Sequence, residues 1–383
     1  MRQLLFLPLL MLLLFSCGEN KTDNPNNFSS MTFSIDTVVV DAGEDIINLR
    51  GGLWNSTFSS DYKKLYLWDE PSTTLKVIDL DGLRLEEKLQ FEKEGPDGVG
   101  TYVSWLNLTD ESSILIGSME KTGLFNLSGK RLREFDFEKE EFSGEELKGK
   151  YLQGKGHLSE EGNIFTGLYR NWNDEHFSII KTDFVNKSRS SYDLEGLEAL
   201  PDYAFAYKTD QTFAIMPSEK KITGFGNKLV FSASAYNTMY SIDLVTNSVS
   251  RIDYEPRLSA KGKAKSQRQE LDSQVEFKEK LREMYRGINF LEPIWDKENG
   301  IFYRFSFETT PSTATDTPLF ESPDQMVITR IILSIFDENF NLIGESEVPE
   351  MTKVPKTAFV KDGKIWMYVN VDDELGFARL TIN

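Results

Sequence analysis

From residue 31 onward the apolar positions come in short runs, rich in β-branched and aromatic residues and separated by Gly, Asn and Asp. Such punctuation predicts strands joined by tight turns rather than helices. Residues 64–89, KLYLWDEPSTTLKVIDLDGLRLEEKL, show the unit in full. An apolar strand (Leu65, Tyr66, Leu67, Trp68) meets a Pro/Ser/Thr turn, a second strand (Leu75, Val77, Ile78) follows, Asp-Gly reverses the chain and a third strand leaves. First strands of the same unit are read at residues 64–68, 113–117, 163–169, 228–232, 301–307 and 364–369. Their partner hairpins, among them GLFNLSGKRLREFDF, MYSIDLVTNSVSRIDY and LSIFDENFNLIGESEV, place Asp, Asn or Gly at the turn. Steps of about 50 to 70 residues fit propeller blades with inserted loops.

The pattern therefore predicts an all-β fold, a β-propeller with six blades favoured and seven possible. A β-sandwich with irregular insertions is the competing arrangement. The sixth repeat lacks its outer strand, and the alternating run at residues 32–41, TFSIDTVVVD, has no partner near it in sequence. It is expected to supply that strand and close the ring, which removes an exposed sheet edge. Residues 259–286 break the pattern, with no strand signal and with Leu271, Val275, Leu281 and Tyr285 near one helical face. An inserted helix around 261–286 is expected on the propeller rim. Its basic excess also suits a docking element for an acidic partner, or a lid over the channel mouth.

The N-terminus changes the picture from fold to address. Residues 1–16, MRQLLFLPLLMLLLFS, have a positive charge at Arg2 and an apolar core too short to span a bilayer, which reads as a signal peptide. Leu14-Phe15-Ser16-Cys17 resembles the bacterial lipobox, so Cys17 is the expected lipidation site and acyl chains the expected membrane anchor. Cys17 is the only cysteine, so no intrachain disulfide is possible. Residues 17–30 read as a flexible tether, and 31–383 as one propeller domain. The expected location is the cell envelope, as an outer-membrane lipoprotein with its periplasmic or surface face undecided. A net charge of −18 over 383 residues argues against nucleic acid as a partner and is also a common means of staying soluble.

Candidate chemistry is sparse. The two histidines, His157 and His176, form no HExxH or H-x-H arrangement, so no metal or cofactor is expected. Nucleophile-elbow, Walker and dinucleotide motifs are absent. Gly95-Pro96-Asp97-Gly98-Val99-Gly100 reads as a turn, and Asp79, Asp81 and Gly82 as a hairpin turn rather than a calcium loop. Polar and aromatic residues at strand ends, where propellers bind ligands, remain: His157, Arg170 with Trp172, and Tyr303 with Arg304. Stacking plus a forked guanidinium suits a sugar or a carboxylate. The competing expectation is that the aromatics pack between blades and the arginines pair with nearby acids.

Four stretches carry a family resemblance: the lipobox at residues 14–17, KEGPDGVG at 93–100, GINFLEPIWDKENGIFYRFSF at 287–307 and IFDENFNLIGE at 335–345. Together they resemble a family of Bacteroides-type lipoproteins of unknown function with a six-bladed-propeller-like domain. The resemblance covers most of residues 30–383 and implies the fold and the address. Its motifs are turns and strands, so it brings no catalytic residue. The leading expectation is a non-enzymatic, membrane-anchored propeller that binds a protein or glycan partner. The alternative is a carbohydrate-active hydrolase or lyase with its site in the central channel.

Overall fold

The computed structural model describes residues 31–383 except 138–140, 160, 172–175, 217, 267–268 and 311–326. Cys17, the signal peptide, the tether and Trp172 thus lie outside the described residues. Six antiparallel meanders of four strands follow one another along the chain, the third extended by the short strand Ser143–Gly144. Each begins with an inner strand: Ser56–Phe58, Val103–Leu108, Lys150–Leu158, Lys220–Phe225, Gly287–Asp296 and Lys356–Lys361. The apolar runs that the sequence marks as first strands are the second strands of these sheets. Lys64–Asp69, for example, pairs with Ser56–Phe58 on one side and Thr74–Asp79 on the other. Second strands are buried on both faces, so they read as continuous apolar runs, whereas the outer strand Arg84–Gln90 is largely exposed.

The strand Phe33–Val39 completes the sixth sheet. It pairs antiparallel with Glu374–Ile382, from Phe33 opposite Ile382 to Val39 opposite Gly376. Thr32 and Asn383 exchange backbone hydrogen bonds of 3.0 and 2.9 Å, and Asp36 accepts from Arg379 Nε at 2.6 Å and Nη2 at 2.9 Å. Packing runs around the ring in the same cyclic order. Leu67 and Ile78 of the first sheet share a core cluster with Phe359, Trp366 and Phe377 of the last. Each consecutive pair of sheets between them shares another.

A meander alternates its connections between two ends, and here the ends differ. One end carries tight turns. Asp79, Asp183, Asp243 and Asp337 each close the third strand of a sheet, and one carboxylate oxygen of each accepts two backbone N–H groups of the turn that follows. The other end, where the inner strands begin, receives the long connections at 91–102, 136–149, 192–219 and 253–286. Two of these build a satellite layer, in which Phe205–Lys208 pairs with Phe213–Met216 and Glu270–Leu271, and a helix packs beside them.

That helix is shorter than the sequence predicts: Gln274–Tyr285, with Ser273 Oγ capping the Glu276 N–H. Residues 261–263 are extended instead, because Lys261 O and Lys263 N bond to Asn237 N and Ala235 O, both at 2.8 Å. A side chain at Gly262 would come within 2.9 Å of the Ala235 carbonyl. The apolar stripe is also rotated: Phe277 and Leu281 are buried against Phe205, while Val275 is 67% exposed. Leu271 joins the same cluster from a strand, and the side chain of Tyr285 lies outside the described residues. Among the described residues, no helix is long and apolar enough to cross a membrane.

Candidate functional site

The described candidates do not converge. His157, on the inner strand of the third sheet, pairs with Thr166, whereas Arg170 pairs with Tyr151. Four residues of strand separate these positions, about 13 Å. Tyr303 and Arg304 belong to the fifth sheet and face opposite sides of it. Tyr303 packs in the cluster between the fifth and sixth sheets, and burial, then Asp296, pushes its phenol up.

Arg304 is fully buried. Its Nε donates to Leu291 O at 2.8 Å, Nη1 to Asn237 O, and Nη2 lies 3.4 and 3.5 Å from Ala233 O and Tyr236 O. Leu291 sits at the register shift between Phe290 and Pro293, and Asn237 in the turn after the second strand of the fourth sheet, so their carbonyls fall where the ladders are irregular. The guanidinium, 4.9 Å from the Phe290 ring, joins the two sheets. Burial holds its pKa below the usual arginine range. Its donors go to backbone carbonyls, with the Tyr254 phenol as a further side-chain partner.

His157 is different, since it lies on the strand that lines the ring's interior. Its Nε2 is buried and finds no hydrogen-bond partner among the described residues. Burial, then the Lys155 ammonium, lowers its pKa to about 4, opposed by a hydrogen bond with the Ile222 backbone. The side chain rests against Gly224 of the fourth sheet, where a Cβ would stand 3.0 Å from Nδ1.

Around it the structure assembles residues that the sequence reading missed. Lys155 reaches from the third sheet to the first, where Nζ donates to Ser56 O at 2.5 Å. Lys221, on the inner strand of the fourth sheet, holds its ammonium 5.8 Å from the ring centroid of Trp54, which precedes the first. Burial, then Lys221, lowers the Lys155 pKa to about 8. Neither ammonium has a carboxylate within ion-pair distance among the described residues. Gln153 Oε1 and Asn55 Oδ1, from the same two inner-strand regions as Lys155 and Trp54, are buried without partners there too. Trp54 is 68% exposed.

The available signal was Gly154-Lys155-Gly156. Gly154 has φ +78°, and a Cβ on Gly156 would lie 2.2 Å from the Phe165 ring. These glycines sit in the register shift between Gln153 and His157, a bulge that re-aims Lys155 toward the ring interior. Among the described residues no group of three His, Cys, Asp or Glu side chains comes together as a metal site requires.

A profile of a domain of unknown function, DUF4221, matches residues 27–347. The chain belongs to the DUF4221 family. A crystal structure of a DUF4221 member from Bacteroides vulgatus is similar with a TM-score of 0.64 at 14% identity, over 94% of this chain and 99% of that one. That likeness shows that the propeller described here is the fold of a second family member. A putative exported protein from Bacteroides fragilis has a TM-score of 0.49 at 10% identity, over 92% and 95% of the two chains. No curated protein matches the DUF4221 chain.

Proposed function

We propose that this DUF4221 protein is an exported envelope lipoprotein of the outer membrane, acylated at Cys17, which binds a protein or glycan partner through the end of the ring where the inner strands begin. The observation that carries the reading is the asymmetry of the two ends. One is closed by repeated aspartate-capped turns, while the other gathers the long connections, the satellite layer and exposed Trp54. Loops raised on a rigid scaffold are where recognition is usually built. The lipobox and the polar stretch after it support the anchor.

The test is affinity purification of the lipidated protein from gently solubilised, crosslinked envelopes, with quantitative mass spectrometry against Cys17→Ser. A stoichiometric partner or a bound glycan supports the reading. Membrane retention of Cys17→Ser overturns the anchor. Turnover of an envelope glycan by purified protein, abolished in His157→Ala, replaces binding with catalysis in the channel.

A further inference from the structure

Many described lysines have an acid beside them, among them Lys64 with Glu86, Lys76 with Asp69, Lys88 with Asp45 and Lys361 with Asp81. That is the expected state of a chain with 61 acidic and 43 basic residues. Lys155 and Lys221 are among those with no carboxylate within ion-pair distance among the described residues, and they lie on the inner strands of the ring. They come from neighbouring inner strands, the Lys221 ammonium stands close enough to disfavour the charge on Lys155, and neither has an acid within ion-pair distance among the described residues. Two like charges held together in a partly desolvated space are unfavourable unless an anion joins them.

The surroundings say more about that anion. The exposed Trp54 indole lies beside the Lys221 ammonium, so a flat apolar ring face and a positive charge are offered together. A pyranose presents an apolar C–H face to an aromatic ring, and a carboxylate on it adds the charge that ammonium groups recognise. Asn55 Oδ1, Gln153 Oε1 and His157 Nε2 are hydrogen-bonding groups near the same inner strands, as hydroxyl recognition requires. His157 is neutral above about pH 4, so it adds no charge of its own near neutrality.

We infer that the mouth of the ring at Trp54, Lys155 and Lys221 binds a carboxylate-bearing sugar, the indole stacking on the ring and the two ammonium groups meeting the carboxylate. This rests on the glycan arm of the proposed function and names its chemistry.

The test is isothermal titration of the purified full-length protein in detergent with three probes: a glucuronate-containing disaccharide, its neutral glucose counterpart and inorganic sulfate. Saturable binding of the acidic disaccharide, at least tenfold weaker in both Lys221→Met and Trp54→Ala and at least tenfold stronger than the neutral sugar, supports the site. Lys221 and Trp54 are exposed, so both variants are expected to fold, and unchanged melting is the control. Equal affinity for the neutral sugar overturns the role of the lysines. Sulfate binding as tight as the disaccharide and indifferent to Trp54→Ala overturns the sugar. Absence of binding by all three overturns the site. A stoichiometric protein in the envelope pull-down together with no titration signal sinks this inference alone, whereas acidic-sugar binding with Cys17→Ser retained in membranes sinks only the anchor.

Discussion

Arg304 makes the sharpest quantitative case, because the sequence offers it as a ligand-binding residue and the structure commits it to the backbone. Arg304→Met keeps most of the side-chain volume and removes every donor. The carbonyls of Leu291 and Asn237 then face a thioether, and each buried acceptor left without a donor costs about 1–3 kcal/mol. Removing a desolvated guanidinium returns part of this, so a net loss of about 2–4 kcal/mol is expected. With an unfolding entropy of about 2.1 cal/mol/K per residue over some 350 residues, that loss lowers Tm by about 3–5 °C. Arg304→Lys supplies one point donor in place of a fork and is expected to fall between the two. The assay is differential scanning calorimetry, with urea unfolding as a check on reversibility. A methionine variant that melts within 1 °C of the parent would show that the guanidinium does not hold the fourth and fifth sheets together. Loss of an acidic-sugar signal in that variant without a change in Tm would return Arg304 to the role the sequence suggested.

Three other outcomes are expected. Deleting residues 33–39 removes the ladder to Glu374–Ile382, worth several kcal/mol at about 0.5–1.5 kcal/mol per hydrogen bond, and leaves an open edge; calorimetry and size-exclusion chromatography should show a lower Tm and self-association, and unchanged melting would refute closure by this strand. His157 has its pKa lowered from 6.5 to about 4, so between these values the unfolded chain binds the extra proton and the native state loses stability as pH falls; the window is worth up to about 3 kcal/mol, and His157→Asn should flatten the acid limb of a stability–pH curve. Asp183→Ala removes the acceptor of the Val185 and Asn186 N–H groups and should cost about 1–2 kcal/mol in urea unfolding, whereas Asp183→Asn, which keeps an acceptor, should cost less than half as much.

Much of this architecture is legible in the sequence because second strands are buried on both faces and cannot conceal their pattern. Leu65, Ile114, Leu229 and Ile365 mark four of them. The inner strands are not legible in the same way. Lys150–Leu158 reads KYLQGKGHL, since one side faces the ring interior, where it carries polar side chains, and a bulge breaks its alternation. The helix was found but placed too early, because Lys261 and Lys263 satisfy backbone groups of Asn237 and Ala235 that local propensity cannot see. The candidate site was harder still. Lys155, Lys221 and Trp54 lie far apart in sequence and meet only because the first, third and fourth sheets surround one axis. Arg304 could not be told from a ligand-binding arginine, since its partners are carbonyls on distant turns.

The pairing of Phe33 with Ile382 also sets an orientation. Ile382 ends the third strand of its sheet, at the end of the ring that carries the aspartate-capped turns, so the chain enters the folded body there. A lipid on Cys17 would therefore turn that plain end toward the bilayer and point Trp54, the satellite layer and the inserted helix into the aqueous compartment. A partner that meets the long connections would then approach from solution, or from an opposing surface, rather than from within the lipid layer that holds the anchor.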